Sequence, residues 1–281
     1  MIRLLSCFLM LTAWLNADAI SAFARKTCGL TAGDSVAIVP HGITEIPEYA
    51  FADCIHLKRV ELPEGLTKIG DYAFLGCDSL ISIAFPTSLT ELGEGALREC
   101  RSLSSVVIPD GVRKIPRYLC AWNISLKSVS LPSGTRDIGS HAFAYCKSLE
   151  SIDIPKHVAH IGSNVFSCCS SLREIQIPSS VTELESYAFS DCVSLTKAVL
   201  PANDRLLGEL LFTGCRDIRE IVCLSPTPPP FDCDSPLFDP SESCLYKQCI
   251  LKVAPGKASL YHSATCWELF ENIEQSITHN P

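Results

Sequence analysis

Apolar side chains recur along this chain at a fixed spacing of 23 residues, with polar residues between them. Proline follows this step at Pro40, Pro63, Pro86, Pro109, Pro132, Pro155, Pro178 and Pro201. An apolar column with the same step reads Ile46, Ile69, Leu92, Ile115, Ile138, Ile161, Leu184 and Leu207. The pattern divides residues 40–223 into eight copies without an insertion. Self-similarity of this length predicts a solenoid in which each copy forms one turn.

Each copy contains one predicted strand and one predicted bend on the far side. In the copy that begins at Pro132, Ile152 and Ile154 alternate with Ser151 and Asp153, a period typical of a strand with one buried face. The proline that opens the next copy has no N–H to donate and ends the strand.

Other positions that recur every 23 residues predict where each turn bends and which side chains fill its interior. Gly162 and its equivalents mark the far bend, and residues of the Phe143 type fill the return segment. A single turn buries too little apolar surface to fold alone, so adjoining turns must cover each other. We expect a β-rich solenoid of eight turns with a parallel β-sheet, closed by a small mixed C-terminal cap.

The repeat resembles the BspA-like (treponemal-type) leucine-rich-repeat family. Residues 132–154 show that family's order of proline, Ile-Gly, Ala-Phe, cysteine and leucine. The resemblance continues into the tail, where Tyr261, Trp267 and Phe270 look like the family's terminal cap. It implies an exported or surface-exposed protein that binds a partner, such as a host or extracellular-matrix protein. The resemblance brings no catalytic residue and no cofactor.

The first 24 residues are typical of an export signal. Arg3 precedes a mostly apolar run, and Ala22-Phe23-Ala24 supplies the small-x-small pattern of a cleavage site. The apolar run is too short to span a bilayer. We expect a signal peptide at 1–24, an N-terminal cap at 25–39, eight leucine-rich repeats at 40–223, and a proline-rich connector with the C-terminal cap at 224–281.

The chain has 16 cysteines, and many of them follow the repeat. The periodic ones are Cys54, Cys77, Cys100, Cys146, Cys169, Cys192 and Cys215. We interpret them as small buried apolar side chains, since no C-x-x-C or Cys/His cluster indicates a metal site. Cys233, Cys244, Cys249 and Cys266 lie off the step, in the cap of an expected exported protein. We expect some of these four to form disulfides, with three connectivities open.

The charge of the chain argues against nucleic-acid partners and membrane insertion. Its 31 Asp and Glu residues exceed its 23 Lys and Arg residues, and the net charge of −8 repels phosphate groups. Of the seven histidines, only His157 and His160 lie close together, with no acidic partner beside them at ligand spacing. The sequence therefore predicts no metal, no cofactor and no catalytic site.

The third and fourth copies lose aromatic volume. Leu97 and Cys120 stand where most copies carry phenylalanine, which leaves a cavity or requires compensation. Trp122 lies nearby in the sequence, with Tyr145 one turn further on. Two interpretations are open. Trp122 folds inward to fill the gap, or these four residues line a pocket for an apolar ligand.

The concave face of the predicted sheet is the expected binding surface, because curvature concentrates contacts there. One outward column reads Ala84, Val107, Ser130, Asp153, Gln176 and Val199. Small, uncharged side chains in its first part suit a protein or peptide surface, although a solvated face with nothing bound is the competing interpretation. We predict an exported, non-enzymatic protein-binding scaffold, of which an adhesin is one form. The alternative is a carrier of a small apolar ligand near repeats three to five.

Overall fold

A computed structural model describes residues 21–31, 33–205, 207–230 and 236–276. The strands are β1 Val36–Ile38, β2 Glu45–Ile46, β3 Arg59–Glu61, β4 Lys68–Ile69, β5 Ser82–Ile83, β6 Glu91–Leu92, β7 Ser105–Val107, β8 Lys114–Ile115, β9 Ser128–Ser130, β10 Asp137–Ile138, β11 His160–Ile161, β12 Glu174–Gln176, β13 Glu183–Leu184, β14 Lys197–Val199, β15 Glu220–Cys223, β16 Ile250–Val253 and β17 Asn272–Gln275. The helices are α1 Ala22–Lys26, α2 Cys244–Gln248 and α3 Ala258–His262, with 3-10 turns at Pro240–Glu242 and Trp267–Leu269. This architecture confirms the predicted β-rich solenoid.

Two sets of short strands run along the stack, and every described strand pairing is parallel. The main sheet is formed by β1, β3, β5, β7, β9, β12 and β14 to β17, in three hydrogen-bonded blocks. Its register follows the sequence repeat, since Arg59 pairs with Ser82 and Glu174 pairs with Lys197, 23 residues later in each case. The repeat therefore sets both the composition and the strand register of each turn.

The stack has about ten turns rather than the eight predicted. At its start, β1 pairs with β3 in the same 23-residue register. At its end, β16 pairs with β15 and β17 pairs with β16, with Glu220 opposite Ile250 and Ile250 opposite Asn272. These last steps depart from 23 residues, which explains why a fixed period did not reveal them.

The far side of each turn carries a second sheet that the sequence analysis did not predict. Its two-residue strands are β2, β4, β6, β8, β10, β11 and β13, and they contain the predicted column from Ile46 to Leu184. Where glycine follows one of these strands, the bend brings the backbones of two turns close together. A Cβ atom at Gly162 would lie 2.6 Å from the Ser140 amide nitrogen of the preceding turn, so only glycine fits there.

The core is built from columns of identical side chains stacked turn over turn. Phe143 and Phe166 stack with ring centroids 5.7 Å apart, and Phe51 and Phe74 stack at 5.1 Å. The periodic cysteines are buried beside these rings, as predicted. Six of their thiols lie within hydrogen-bonding distance of a backbone carbonyl oxygen in the preceding turn. The cysteine column therefore contributes inter-turn contacts as well as apolar volume.

The three blocks of the main sheet leave two breaks, one between β5 and β7 and one at Ser151–Ile154, where the sequence predicts a strand. The side chains alternate as expected, since Ile152 is buried while Ser151 and Asp153 are exposed. Among the described residues, however, no backbone–backbone hydrogen bond links this segment to β9 or β12. The prediction of a strand here is therefore wrong. The alternation of apolar and polar residues determines which side chains are buried, but it does not determine whether the backbone is close enough to the neighbouring turns to hydrogen-bond with them.

Residues on either side of the repeats close the ends of the stack. Before the first turn, the hydroxyl of Ser21 donates to the Ala50 carbonyl at 2.6 Å, and Phe23 packs edge-on against Phe51 at 5.9 Å. Ordered packing thus begins within the predicted signal peptide, whose first 20 residues lie outside the described chain. At the other end, the indole N–H of Trp267 donates to the Pro229 carbonyl at 2.8 Å. This bond ties the cap to the proline-rich connector.

The four cap cysteines differ from one another. Cys266 takes part in a disulfide. Cys244 and Cys249 are free thiols, the first exposed and the second buried. The expectation that some of the four form a disulfide is therefore confirmed at Cys266, and the free thiols exclude pairings of Cys244 or Cys249; Cys233 lies outside the described residues.

Candidate binding surface

The six residues of the predicted binding column lie along the outer side of the main sheet. Ala84, Val107, Ser130, Asp153 and Gln176 are exposed, and Val199 is half-buried. We call the surface that they form the main-sheet face. Strand pairing sets Val107 opposite Ser130 and Gln176 opposite Val199. Strand pairing thus aligns four of the predicted residues, while Ala84 directly follows β5 and Asp153 lies in the unpaired Ser151–Ile154 segment.

The centre of the main-sheet face is uncharged. Val107 is 66% exposed, more than any other large apolar side chain of the described residues, and its strand partner is a serine. The neighbouring column adds Ser82, Ser105 and Ser128, all exposed. An exposed apolar side chain among small hydroxyl groups presents a surface that costs less to desolvate than a charged one when a partner covers it.

Ion pairs flank this uncharged centre on both sides. Towards the N-terminal end, Arg59 contacts Glu61 at 2.7 Å. Towards the C-terminal end, the Glu220 carboxylate lies 3.0 Å from the Lys197 ammonium and 2.6 Å from that of Lys252. Partial burial acts to raise the pKa of Glu220, but its hydrogen bonds to the two lysines outweigh burial and lower that pKa. These ion pairs neutralise the charges at both ends of the face, whereas the exposed Asp153 on the same face forms no ion pair among the described residues.

Trp122 does not fold into the core. It is 37% exposed and stacks on Tyr145, with ring centroids 3.8 Å apart and an angle of 6° between the rings. Leu97 and Cys120, by contrast, are completely buried. The structure therefore does not bring the four residues of the proposed apolar pocket together. It separates them into a surface pair and two core residues.

Backbone conformation explains why Trp122 points outward. Trp122 and Tyr145 have φ angles of 68° and 62°, in the left-handed region. Their column continues with left-handed residues in the described turns, at Asp53, Gly76, Glu99, Cys168, Asp191 and Gly214. The glycines and aspartates of this column were the available signal, because these residue types tolerate positive φ best. The sequence analysis aligned this column but did not infer its conformation.

Asn123 replaces cysteine in the fourth copy and is the least satisfied polar residue of the core. Its side chain is completely buried, and neither its Nδ2 nor its Oδ1 atom has a hydrogen-bond partner among the described residues. Leu119, also completely buried, stands in the column that carries alanine in most copies. The extra volume of Leu119 offsets part of the volume lost at Cys120.

The second sheet carries a polar cluster that local sequence spacing did not reveal. The His160 imidazole lies between two carboxylates of neighbouring turns, 2.9 Å from Glu185 and 3.4 Å from Asp137. The Ser163 hydroxyl donates to Glu185 at 2.6 Å. The expectation that His160 lacks acidic partners is wrong, because the solenoid brings residues 23 and 25 positions away beside it.

The geometry of this cluster is that of a structural network. Burial lowers the pKa of His160, but the hydrogen bond to Glu185 and the charge of Asp137 outweigh burial and raise it above its usual value. The pKa of Glu185 is lowered, chiefly by its hydrogen bonds from Ser163 and His160. The Ser163 hydroxyl bonds to the carboxylate and not to the imidazole, so the group does not form a nucleophile with an adjacent base.

The described part of the chain has neither a metal site nor a membrane-spanning helix. No group of three or more His, Cys, Asp or Glu side chains within it has the geometry to hold a metal ion. None of the helices found there has the length and apolar character needed to cross a membrane.

Comparison with known families identifies the class of protein. A family model for the BspA-type leucine-rich-repeat region matches residues 20–147 and 113–227. Together these matches cover most of the chain, and the chain belongs to this family. A comparison with curated protein sequences finds no match.

Solved structures of bacterial leucine-rich-repeat proteins resemble this chain. A leucine-rich repeat protein from Bacteroides ovatus is 28% identical over 68% of this chain, with a TM-score of 0.55. The match covers 55% of the Bacteroides protein, so the chain spans about half of that relative's length. The Treponema pallidum leucine-rich repeat protein is 28% identical over 72% of this chain and 74% of its own, with a TM-score of 0.40. A leucine-rich cell surface protein from Faecalibacterium prausnitzii is 23% identical over 91% of this chain and 82% of its own, with a TM-score of 0.44.

Proposed function

We propose that this protein is an exported, non-enzymatic scaffold that binds a partner protein on its main-sheet face. The observation that carries the proposal is the exposure of Val107, 66% in the middle of an uncharged strip. Regular strands hold each side chain of the strip in a fixed place, so little conformational freedom is lost when a partner binds. An extracellular-matrix or host protein is the partner class that the family resemblance suggests.

Export is the second part of the proposal, and the N-terminal sequence supports it. Arg3, the apolar run and Ala22-Phe23-Ala24 have the order of a cleavable signal. Cleavage after Ala24 removes the contacts of Ser21 and Phe23 with the first turn, so we expect these contacts to exist only before maturation. Expression of the full chain in a secreting bacterium, followed by N-terminal sequencing of the product, tests this part.

The binding face is tested with a charge placed at its centre. Immobilised protein is exposed to a panel of purified extracellular-matrix proteins, and equilibrium binding is measured for Val107→Glu and for Leu260→Glu. Leu260 is a matched control, since it is 39% exposed but lies on α3 in the cap. We expect Val107→Glu to weaken partner binding at least tenfold, about 1.4 kcal/mol, and Leu260→Glu to leave it unchanged. Equal binding by both variants would contradict the assignment of the face.

No observation favours the apolar-ligand carrier. That alternative requires Trp122 and Cys120 to line one cavity, and one is exposed while the other is in the core. The scaffold is therefore the function that the geometry supports best.

A further inference from the structure

The interruption of the main sheet at Ser151–Ile154 coincides with a cleft between two turns. The cleft has a volume of about 800 Å³, and its lining residues are Val129, Ser130, Leu131, Ser133 and Gly134 of one turn and Asp153, Pro155, Lys156 and His157 of the next. A second cleft of about 380 Å³ adjoins it. The two share Ser133, Gly134 and His157, so they form one groove that extends from Ser130 and Asp153 on the main-sheet face to Arg113 and Arg136 in the following loops.

The groove opens at a column of the repeat in which some copies contact the preceding turn through a side chain, while others, at Gly65 and Gly111 as well as Gly134, have none. At equivalent positions elsewhere, Ser88 and Ser180 each donate to a carbonyl of the preceding turn at 2.7 Å, and Asn203 does the same. Gly134 has no side chain to make this bond, and no atom lies within 4 Å of where its Cβ would be. The next residue in the column is His157, which is exposed. The floor of the groove is therefore open space rather than packed protein.

The rim of the groove is basic in a protein that is otherwise acidic. Arg113, Arg136 and Lys156 are exposed there, and none of the three forms an ion pair within the described chain. Asp110 and Asp153 also line the groove, at its two ends. Residues 110–175 contain eight Lys and Arg against five Asp and Glu, whereas the rest of the chain contains 15 against 26. This local excess of positive charge favours an anionic ligand.

We infer that this groove binds an extended acidic peptide segment of a partner protein. The inference rests on the proposed function and extends it, since it assigns the chemistry of the bound segment. Arg113, Arg136 and Lys156 pair with carboxylates of the segment, and guanidinium groups suit such pairs because they donate two parallel hydrogen bonds. The unpaired backbone N–H and C=O groups of Ser151–Ile154 supply hydrogen bonds to its main chain.

The inference is tested with a fluorescent peptide of alternating Glu and Gly, compared with Lys-Gly and Gln-Gly peptides of equal length. Fluorescence anisotropy is measured for the full chain, for the groove variant Arg136→Glu/Lys156→Glu and for the control variant Lys58→Glu/Arg216→Glu. The control alters two exposed cations outside the groove and changes the net charge equally. Circular dichroism establishes that each variant is folded.

We expect the Glu-Gly peptide to bind, the other two peptides to bind at least tenfold more weakly, and added salt to weaken the complex. The groove variant should lose at least tenfold in affinity and the control less than about twofold. Equal affinity of the groove variant and the full chain overturns the inference, as does absence of Glu-Gly binding. If the peptide fails while partner binding still depends on Val107, only this inference is wrong and the proposed function stands.

Discussion

The thiol of Cys169 lies 3.2 Å from the carbonyl oxygen of Phe143 in the preceding turn. The same relationship recurs along the cysteine column on both sides of the fourth copy, where Asn123 stands instead of cysteine. A buried thiol needs little hydrogen bonding, whereas a buried amide needs several partners. The cysteine column therefore contributes least to stability at Asn123, in the middle of the stack.

Asn123→Cys should stabilise the protein. The substitution removes a buried amide whose nitrogen and oxygen both lack partners, a defect that costs about 1–3 kcal/mol, and restores the side chain of the other turns. Chemical denaturation should show a higher free energy of unfolding. The reverse change, Cys146→Asn, should lower it, and a loss of stability in Asn123→Cys would show that the amide is satisfied in solution.

Trp122→Ala should destabilise the protein only slightly. The substitution removes a surface stack with Tyr145, and such pairs contribute about 0.5–1.5 kcal/mol. Trp267→Ala is the matched control, because Trp267 is 1% exposed and truncation of a buried tryptophan costs about 3–5 kcal/mol. Urea denaturation of both variants compares the two losses. If they are equal, Trp122 fills the core in solution.

The His160 cluster makes stability depend on pH. Because the folded-state pKa of His160 is raised, its ion pairs contribute fully below its unfolded pKa of about 6.5 and are lost as pH rises through the folded value. The melting temperature of the unmodified protein should therefore fall by more than that of His160→Gln between about pH 6 and about pH 8. Parallel curves for the two proteins over this range would show that the imidazole has no folded-state partner.

The sequence predicted the repeat, the buried columns and the outward row through Val107. These three features depend only on which side chains are apolar and become buried. It did not predict the second sheet, whose first strand contains Ile46. A strand of two residues is too short to show the alternation of apolar and polar residues by which strands are recognised. Trp122 was misplaced because an aromatic residue is usually interpreted as core, while the backbone here holds it in a left-handed conformation. The open segment after Leu149 and the partners of His160 depend on spacing and contacts between turns, and no single copy of the repeat contains that information.

The account depends most on the claim that consecutive 23-residue segments stack as interchangeable turns. Deletion of residues 155–177 removes one complete turn and should bring Ile138 beside Leu184, where Ile161 otherwise pairs with both. The control is deletion of residues 155–166, which removes about half a turn and destroys the register. Urea unfolding followed by far-ultraviolet circular dichroism tests both chains. We predict that the first chain keeps β-type dichroism and a cooperative transition while the second loses both; a first chain that is unfolded, or no more structured than the control, would contradict the stacked-turn model.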